Sequence, residues 1–449
     1  MKKIYLYLLG SLFLSTACET DLDQFPSNQG SADSLTDFEW VVRGAYFYQH
    51  GSITPMAVMG DFRADNAYMF EAPYTEFDDF DGGLTAMDEQ FMSPFYTALY
   101  KSIINANVVI ANSTDSTLIG EARFLRALSY FKLIQVFGDV SVNLEALPSA
   151  EDQSIQVRQS ATEVYNSVVI PDLEYAITAL DAEITDGRAS KYAAEAILGK
   201  VYMHMGNYTL AETHLENVIS GADAAGISLQ ANFADIFSAD NELNSEIIFA
   251  TQVLSGVEDE YTYASEFTSW YSGGDTKSEN PVDADLVLAF DNVAVDISDA
   301  TAGDLRRAVT IDDATLTSPK YDVTTAADND WIEIRYADVI MLYAEALNEN
   351  DNADGSESAT ILALLDDIRT RAGLNTLVGS ATTQDDVRTA ILDERRLEFA
   401  FEGQRWFDLV RTGTVDSEMG ETIDENYHVF PIPISEVLVS DVIEQNAGY

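Results

Sequence analysis

Apolar side chains return every three or four residues between positions 192 and 220, which is the repeat of an amphipathic helix. Leu198, Tyr202 and Met205 share one such face. The face resumes after the turn Gly206-Asn207, where it consists of Tyr208, Ala211, Leu215, Val218 and Ile219. The pattern therefore predicts two helices joined by a tight turn. One helix pair cannot bury its own apolar face, so partner helices must pack against it.

The same spacing recurs in other parts of the chain. It predicts helices within 120–139 and 334–350, a helix around Ile361 to Arg371 that stops at Gly373, and a further helix from Asp386 to Val410. Between about 222 and 330 the spacing is lost, and short runs rich in Gly, Pro and Thr predict loops, turns and a few short strands. The chain is thus predicted to be mainly α-helical, with an irregular insertion whose loops can carry binding groups.

The tryptophans fall into different patterns. Trp40 and Trp406 lie within strong helical patterns, which predicts that both are buried in the core. Trp331 fits neither a helical nor a loop pattern clearly. Trp270, with Tyr271, directly precedes Ser-Gly-Gly, so these two rings are predicted to stand at an exposed loop tip.

The first residues have the pattern of a secretion signal. Lys2 and Lys3 precede an apolar run from Ile4 to Leu14, which is too short to span a bilayer as a helix. The small residues 15–17 then precede Cys18, the one cysteine of the chain, and this arrangement resembles the lipobox of bacterial lipoproteins. The alternative is an ordinary cleavage site with an incidental cysteine. Acylation is favoured, because a single thiol has no partner for a disulfide in a secreted protein.

The lipobox resemblance implies a division of the N-terminal region. Residues 1–17 are then a removable lipoprotein signal peptide, Cys18 carries the lipid, and residues 18–30 form a tether. Glu19, Asp21 and Asp23 resemble the surface-export signal of lipoproteins in Bacteroidetes-type bacteria. We therefore expect the mature protein on the outer face of an outer membrane, with the lipid as its only membrane contact.

The charge of the chain limits its partners. Its 449 residues contain 76 Asp and Glu against 24 Lys and Arg, a formal net charge of −52. Nucleic-acid binding is excluded as a function, because it requires basic side chains to neutralise phosphates. The acids are spread along the chain, and a distributed acidic surface repels itself less when salt screens it. A marine or otherwise saline source is expected.

Four segments together resemble the SusD/RagB family of outer-membrane nutrient-binding lipoproteins. They are GEARFLRALSYFKLIQVFGDV (120–140), IRYADVIMLYAEALNE (334–349), ILDERRLEFAFEGQRWFDLVRTG (391–413) and PIPISEVLVSDVIEQNAGY (431–449). The resemblance implies a single domain over 31–449, with four tetratricopeptide-like helix pairs packed against a less regular lobe. It also implies that the protein captures oligosaccharides as a lid over a SusC-like TonB-dependent transporter, without catalysis and without a cofactor.

Charged side chains alternate with aromatic ones in the third of these segments. An acid/base or arginine-clamp site is one interpretation, and the favoured one is a bent helix pair whose charges pair at i,i+3 and i,i+4 while its aromatics are buried. Glycoside hydrolysis needs two carboxylates at a fixed separation, which sequence spacing cannot show. The run FDDFDGG (77–83) could hold a hard cation, but no metal site is favoured.

A sugar site needs exposed aromatic rings bordered by planar hydrogen-bonding groups. Two segments supply aromatics outside the amphipathic helices, GDFRADNAYMFEAPYTEFDDFDGG (60–83) and EYTYASEFTSWYSGGD (260–275). The residues selected from them as ligand-binding candidates are Arg63, Asp65, Asn66, Tyr68, Tyr74, Phe77, Trp270 and Tyr271.

The charge of these segments indicates the kind of glycan. Both are strongly acidic, so an anionic glycan would be repelled unless cations bridged it. A neutral glycan is therefore favoured, with a laminarin-type β-glucan as the first choice and mannan or α-glucan behind it. Two alternatives stay open: a peptide-capturing member of the same family, and a tetratricopeptide-like scaffold that binds only protein.

Overall fold

The computed structural model of the chain describes residues 37–149, 152–184, 186–253, 266–274, 276–293, 303–321 and 329–449. Residues 39–449 form one compact unit, to which every element named below belongs. The predicted signal peptide, the tether and Cys18 lie outside the described residues, as do Tyr261 and Tyr263 of the second aromatic segment.

Helices predominate in the described ranges, which confirms the prediction of a mainly α-helical chain. The α-helices are, in chain order, α1 Glu39–Gln49, α2 Ile53–Asp61, α3 Glu76–Asp79, α4 Ser93–Asn112, α5 Ser116–Phe137, α6 Ala161–Val164, α7 Ile170–Ala179, α8 Lys191–His204, α9 Tyr208–Ala225, α10 Phe267–Ser272, α11 Ala284–Asn292, α12 Arg307–Thr310, α13 Tyr336–Asp351, α14 Ser358–Ala363, α15 Asp366–Arg371, α16 Gln384–Phe399, α17 Arg405–Thr412, α18 Val415–Met419 and α19 Ile434–Val439.

Strands in the described ranges are short and pair as two antiparallel ribbons. They are β1 Val140–Ser141 with β2 Arg158–Gln159, and β3 Ile247–Thr251 with β4 Trp331–Arg335. The second ribbon is irregular, with register shifts on either side of Phe249. All five residues of β3 are buried, so this ribbon is an internal element of the fold.

The long helices pack on one another in a continuous series. The contacts run from α1 to α4, then to α5, α7, α8, α9, α13 and finally α16. The predicted pair α8–α9 is confirmed, with its turn at Gly206, where φ is +67°. A Cβ atom on Gly199 would lie 2.6 Å from Leu215, so this glycine allows α8 and α9 to approach closely. The tetratricopeptide-like character of the series stays a prediction.

Two predicted helices are each divided in the structure. The one around Ile361 to Arg371 is split into α14 and α15. The longer one, from Asp386 to Val410, is split into α16 and α17 by a turn in which Phe401 and Gly403 have φ values of +63° and +68°. The second break has a long-range cause, because a Cβ atom on Gly60 of α2 would lie 2.1 Å from the carbonyl oxygen of Gly403. The backbone of this turn therefore packs directly against the backbone of α2.

The tryptophan predictions had mixed outcomes. Trp406 is fully buried as predicted, and Trp331 is 3% exposed. The prediction for Trp40 is wrong, since its side chain is 71% exposed. The reason is the orientation of α1, whose buried positions are Val42, Ala45 and Gln49. A helical pattern shows that one face is buried, but not that each large residue lies on that face.

Candidate functional site

The two aromatic segments selected from the sequence meet in the structure. The hydroxyl of Tyr271 donates to Oδ2 of Asp61 at 2.8 Å. Just beyond the second segment, the backbone N–H of Tyr68 donates to the carbonyl of Pro281 at 3.0 Å. The rings of Tyr74 and Trp270 lie 5.6 Å apart between centroids. Residues far apart in the chain thus form one region, as a binding site would require.

The expectation of an exposed loop tip at Trp270 and Tyr271 is wrong. Both residues belong to α10, and they are 2% and 1% exposed. Helix α10 packs against α2, and the ring of Tyr271 stacks on that of Phe62, directly after α2, with 6.0 Å between the ring centroids. Neither ring has a free face on which a sugar could stack. Trp270 instead packs against the Tyr74 ring from the protein interior.

Arg63 is also buried, contrary to its selection as a ligand contact. It is 0% exposed, and its guanidinium lies 4.3 Å from the ring centroid of Phe80. The same group donates to the carbonyl oxygen of Phe77 at 2.8 Å and to that of Tyr427 at 3.0 Å. Arg63 therefore fixes the segment around α3 to the C-terminal part of the chain.

Asp65, Asn66 and Phe77 have structural roles as well, and each is less than one tenth exposed. Asp65 binds Arg405 at 2.7 Å and Arg396 at 3.0 Å. Burial opposes the charge of Asp65, but Arg405 prevails and holds the pKa of this carboxyl below its usual value. Phe77 packs its ring edge-on against a neighbouring core phenylalanine. The selection of Arg63, Asp65, Asn66 and Phe77 as ligand contacts is therefore wrong, because all four side chains are buried in the protein interior.

Aromatic rings that solvent can reach remain in the same segment. Phe70 is 50% exposed, and Tyr68 and Tyr74 are half-buried. The Tyr74 hydroxyl donates to Oε1 of Gln90 at 2.8 Å, and the Lys277 ammonium lies 5.8 Å from the Tyr74 ring centroid. We call Tyr68, Phe70 and Tyr74 the 68–74 surface. Phe77 was selected from this segment and Phe70 was not, because the local sequence pattern does not show which of the two rings is exposed.

The surroundings of the 68–74 surface are acidic. Glu76, Asp78, Asp79 and Asp81 follow it within and just after α3. Burial raises the pKa of Asp78 to about 7, with Arg63 opposing that rise. Among the described residues, no group of His, Cys, Asp and Glu side chains is arranged to hold a metal ion.

A buried carboxylate, Asp61, joins the two segments to the turn after α16. It accepts hydrogen bonds from the Gly403 N–H at 2.7 Å and from the Tyr271 hydroxyl at 2.8 Å. Burial raises its pKa to about 6, although these hydrogen bonds act in the opposite direction. Sequence reasoning missed this group. The available signal was a charged residue at the end of a mostly apolar run, Ile53 to Gly60.

The charged side chains of 391–413 pair as expected, but mostly with partners from other elements. Glu398 accepts from Arg335 at 2.7 Å and from Arg306 at 2.9 Å, and all three are fully buried. Arg395 similarly donates to Asp338 of α13 at 2.7 Å. The interpretation of these charges as structural is confirmed. The prediction that they pair at helical spacing holds for few of them, such as Arg411 with Asp408.

In the part of the chain that the structure describes, no helix has the length and apolarity needed to cross a bilayer.

Two family models match the chain. The model of the SusD family matches residues 305–427, and a model described as "Starch-binding associating with outer membrane" matches residues 35–203. A SusD-like protein of Formosa agariphila is 26% identical and covers 98% of this chain and 98% of its own length. The starch-binding protein SusD of Bacteroides thetaiotaomicron is 23% identical, over 73% of this chain and 72% of that protein.

Solved structures show the same fold. A SusD superfamily protein of Bacteroides vulgatus superposes with a TM-score of 0.74 at 22% identity, over 92% of this chain and 99% of that one. A laminarin-binding SusD-like protein superposes with a TM-score of 0.72 at 26% identity and the same coverage. Fold, family models and relatives agree, and this chain belongs to the SusD/RagB family.

Proposed function

We propose that this protein binds a neutral glycan on the 68–74 surface and delivers it to a SusC-like TonB-dependent transporter in the outer membrane. The observation that carries the proposal is that the ring of Phe70 is half exposed and that Tyr68 and Tyr74, within four residues of it in the chain, are half-buried. Trp270 supports Tyr74 from below, which fixes the platform before a ligand arrives. A preorganised platform binds more tightly, because less side-chain freedom is lost on binding.

The chemistry of the surface suits a sugar. The C–H face of a pyranose ring can lie on an aromatic ring, while its hydroxyls need hydrogen-bonding groups at the edge. Gln90 and Lys277 stand beside Tyr74 and supply such groups. The family models and named relatives support carbohydrate as the ligand class, since one model is described as starch-binding and one structural relative as laminarin-binding.

The acidic surroundings support a neutral glycan over an anionic one. Glu71 and the acids of the α3 segment would repel a uronate or sulphated chain in the absence of bridging cations. Laminarin-type β-glucan is the first choice, and the laminarin-binding relative supports it. Mannan and α-glucan follow.

The proposal includes the place of action. The lipobox-like sequence before Cys18 and the family model described as associating with the outer membrane support a lipid-anchored protein at the cell surface. The named relatives are binding proteins, which supports capture without cleavage of the glycan.

Calorimetry across laminarin, mannan, starch and alginate tests the proposal. We expect binding to one neutral glycan, weakened by ~1–3 kcal/mol in Tyr74→Ala or Phe70→Ala if sugar stacking resembles base–aromatic stacking. The matched control is Tyr343→Ala, which removes a half-buried tyrosine on α13. Tight binding to alginate alone, or full affinity in both surface variants, would refute the proposed site. Release of shorter sugars by the purified chain would refute capture without cleavage.

A further inference from the structure

A second cleft lies on the helical part of the molecule, apart from the 68–74 surface. It has a volume of about 510 Å³ and lies between α1, the turn at 186–188 and the end of β3. Its lining residues include Arg43, Tyr46, Phe47, His50 and Gln252. This size is in the range of clefts that hold a ligand, and aromatic walls with a few polar groups are typical of such sites.

The aromatic face of this cleft continues along α1. Trp40, Arg43 and Phe47 are three and four residues apart and therefore share one side of the helix. At 1.5 Å per residue, Trp40 and Phe47 are separated by roughly 10 Å along the axis. The Arg43 guanidinium lies 5.4 Å from the Trp40 ring centroid, and the rings of Phe47 and His50 lie 5.5 Å apart. The result is an elongated row of planar groups.

The charges in the cleft are already offset by neighbours. Arg188 donates to Glu121 at 2.7 Å and to Glu39 at 2.6 Å. Arg43 donates to the same Glu39 through Nε at 2.8 Å. These pairs leave no surplus of positive charge for an acidic ligand. The exposed Gln252 side chain and the terminal nitrogens of Arg43 are planar hydrogen-bonding groups of the kind that sugar hydroxyls require.

We propose that this row, Trp40, Arg43 and Phe47 with the adjoining cleft, is a second binding site for a neutral glycan chain. The inference rests on the proposed function for its ligand class, but it concerns a separate site. Each site binds its own stretch of sugar, so one protein holds two segments of glycan at once.

The exposure of Trp40 supplies a direct test. The chain has 4 tryptophans, and Trp270, Trp331 and Trp406 are at most 3% exposed, whereas Trp40 is 71% exposed. Acrylamide quenching of the purified full chain therefore reports mainly on Trp40. With a saturating neutral oligosaccharide that binds in calorimetry, we expect quenching to fall toward that of Trp40→Phe, in which only buried tryptophans remain. The protection should persist in Tyr74→Ala.

Calorimetry counts the sites independently. We expect two oligosaccharides per chain in the wild type, one in Trp40→Ala/Arg43→Ala, and one in Phe70→Ala/Tyr74→Ala. Trp40 and Arg43 are both exposed, so their variant should fold, and Leu438→Ala serves as a control at another exposed site.

The failures of the two proposals are distinguishable. One bound oligosaccharide per chain, lost in the Tyr74 variant and leaving the quenching of Trp40 unchanged, would overturn the second site and keep the proposed function. A wild-type chain that binds none of the tested glycans would refute both.

Discussion

The hydroxyl of Tyr271 donates a hydrogen bond of 2.8 Å to Oδ2 of Asp61, across 210 positions of the chain. The pair is completely buried and lies beneath the 68–74 surface, where Tyr271 also stacks on Phe62. Two segments that were selected from the sequence as loops are joined here through the interior. The residues beneath the candidate site are therefore held in a packed interior, whereas the sequence had predicted loops.

Asp61 should make the stability of the protein depend on pH. Burial raises its pKa from 3.8 to about 6, so the folded state holds this proton more tightly than the unfolded state does. Its contribution is complete below about pH 4 and is lost as the pH rises through 6, which amounts to ~3 kcal/mol. Measured in urea, the unfolding free energy of the wild type should therefore fall by about that much relative to that of Asp61→Asn between pH 4 and pH 7. Parallel pH profiles would contradict this assignment, and Asp441→Asn, at an exposed position, is the control.

Removal of the Trp270 ring should lower stability, whereas removal of the Tyr74 ring should lower glycan affinity. Trp270→Ala creates a cavity beneath the surface and should cost about 3–5 kcal/mol of unfolding free energy. Tyr74→Ala removes a half-buried ring and should mainly weaken glycan binding. Urea denaturation and calorimetry on the two variants separate these effects. Equal losses of stability would show that Tyr74 is a core residue.

Arg63 should determine how firmly the segment around α3 is held. Arg63→Met keeps the unbranched apolar part of the side chain but leaves the carbonyls of Phe77 and Tyr427 without their donor, which should cost roughly 3 kcal/mol. Limited proteolysis should then cut within 71–81 faster than in the wild type. Arg63→Lys keeps the charge without the forked geometry, so an intermediate rate is expected. Unchanged cleavage in Arg63→Met would contradict the proposed anchoring.

Glu398 should be important for stability in neutral and mildly acidic solution. Burial favours its protonation, but Arg371, Arg335 and Arg306 together hold its pKa far below the usual value. Its contribution is therefore present at neutral pH and is lost only as the pH falls below the unfolded pKa. Glu398→Gln leaves buried arginines short of a counter-charge and should cost about 3–5 kcal/mol.

Salt provides a check on that prediction. Because the network around Glu398 is buried, high NaCl should leave the cost of Glu398→Gln unchanged. Glu216→Gln, at an exposed position of α9, should cost little at any salt concentration. A cost for Glu398→Gln that disappears in salt would mean that the network is hydrated.

Cys18 is predicted to carry the lipid anchor. Cells supplied with radiolabelled palmitate should label the wild-type protein, and Cys18→Ala should remove the label, since the chain has 1 cysteine. Protease added to intact cells should digest the wild-type protein if it faces outward. Equal labelling of both proteins would refute acylation at this residue.

Helices were predicted correctly from the sequence where their buried residues recur at regular helical spacing. The α8–α9 pair and α13 follow from apolar spacing, and Gly373, with φ of +76°, ends its helix as expected. The break after α16 could not be predicted in this way, because its cause is the approach of Gly60. Local patterns do not contain contacts between distant segments.

The candidate site was predicted in location but not in detail. The segments 60–83 and 260–275 do meet, yet Trp270 is buried and Trp40 is exposed, the reverse of both expectations. A short aromatic run before glycines has the same sequence pattern whether its rings face solvent or the core. Only the position of α2 beneath α10 decides the outcome for Trp270.

The hydrogen bond from Gly403 to Asp61 spans 342 positions, and α2 also packs against α17. The first helices of this unit therefore cannot reach their final packing until the ribosome has made most of the chain. Long-range closure of this kind slows folding, since a large loop must be ordered first. A polypeptide that stays open during synthesis is in the state that a translocation channel can thread, which is what the predicted signal peptide at residues 1–17 would require.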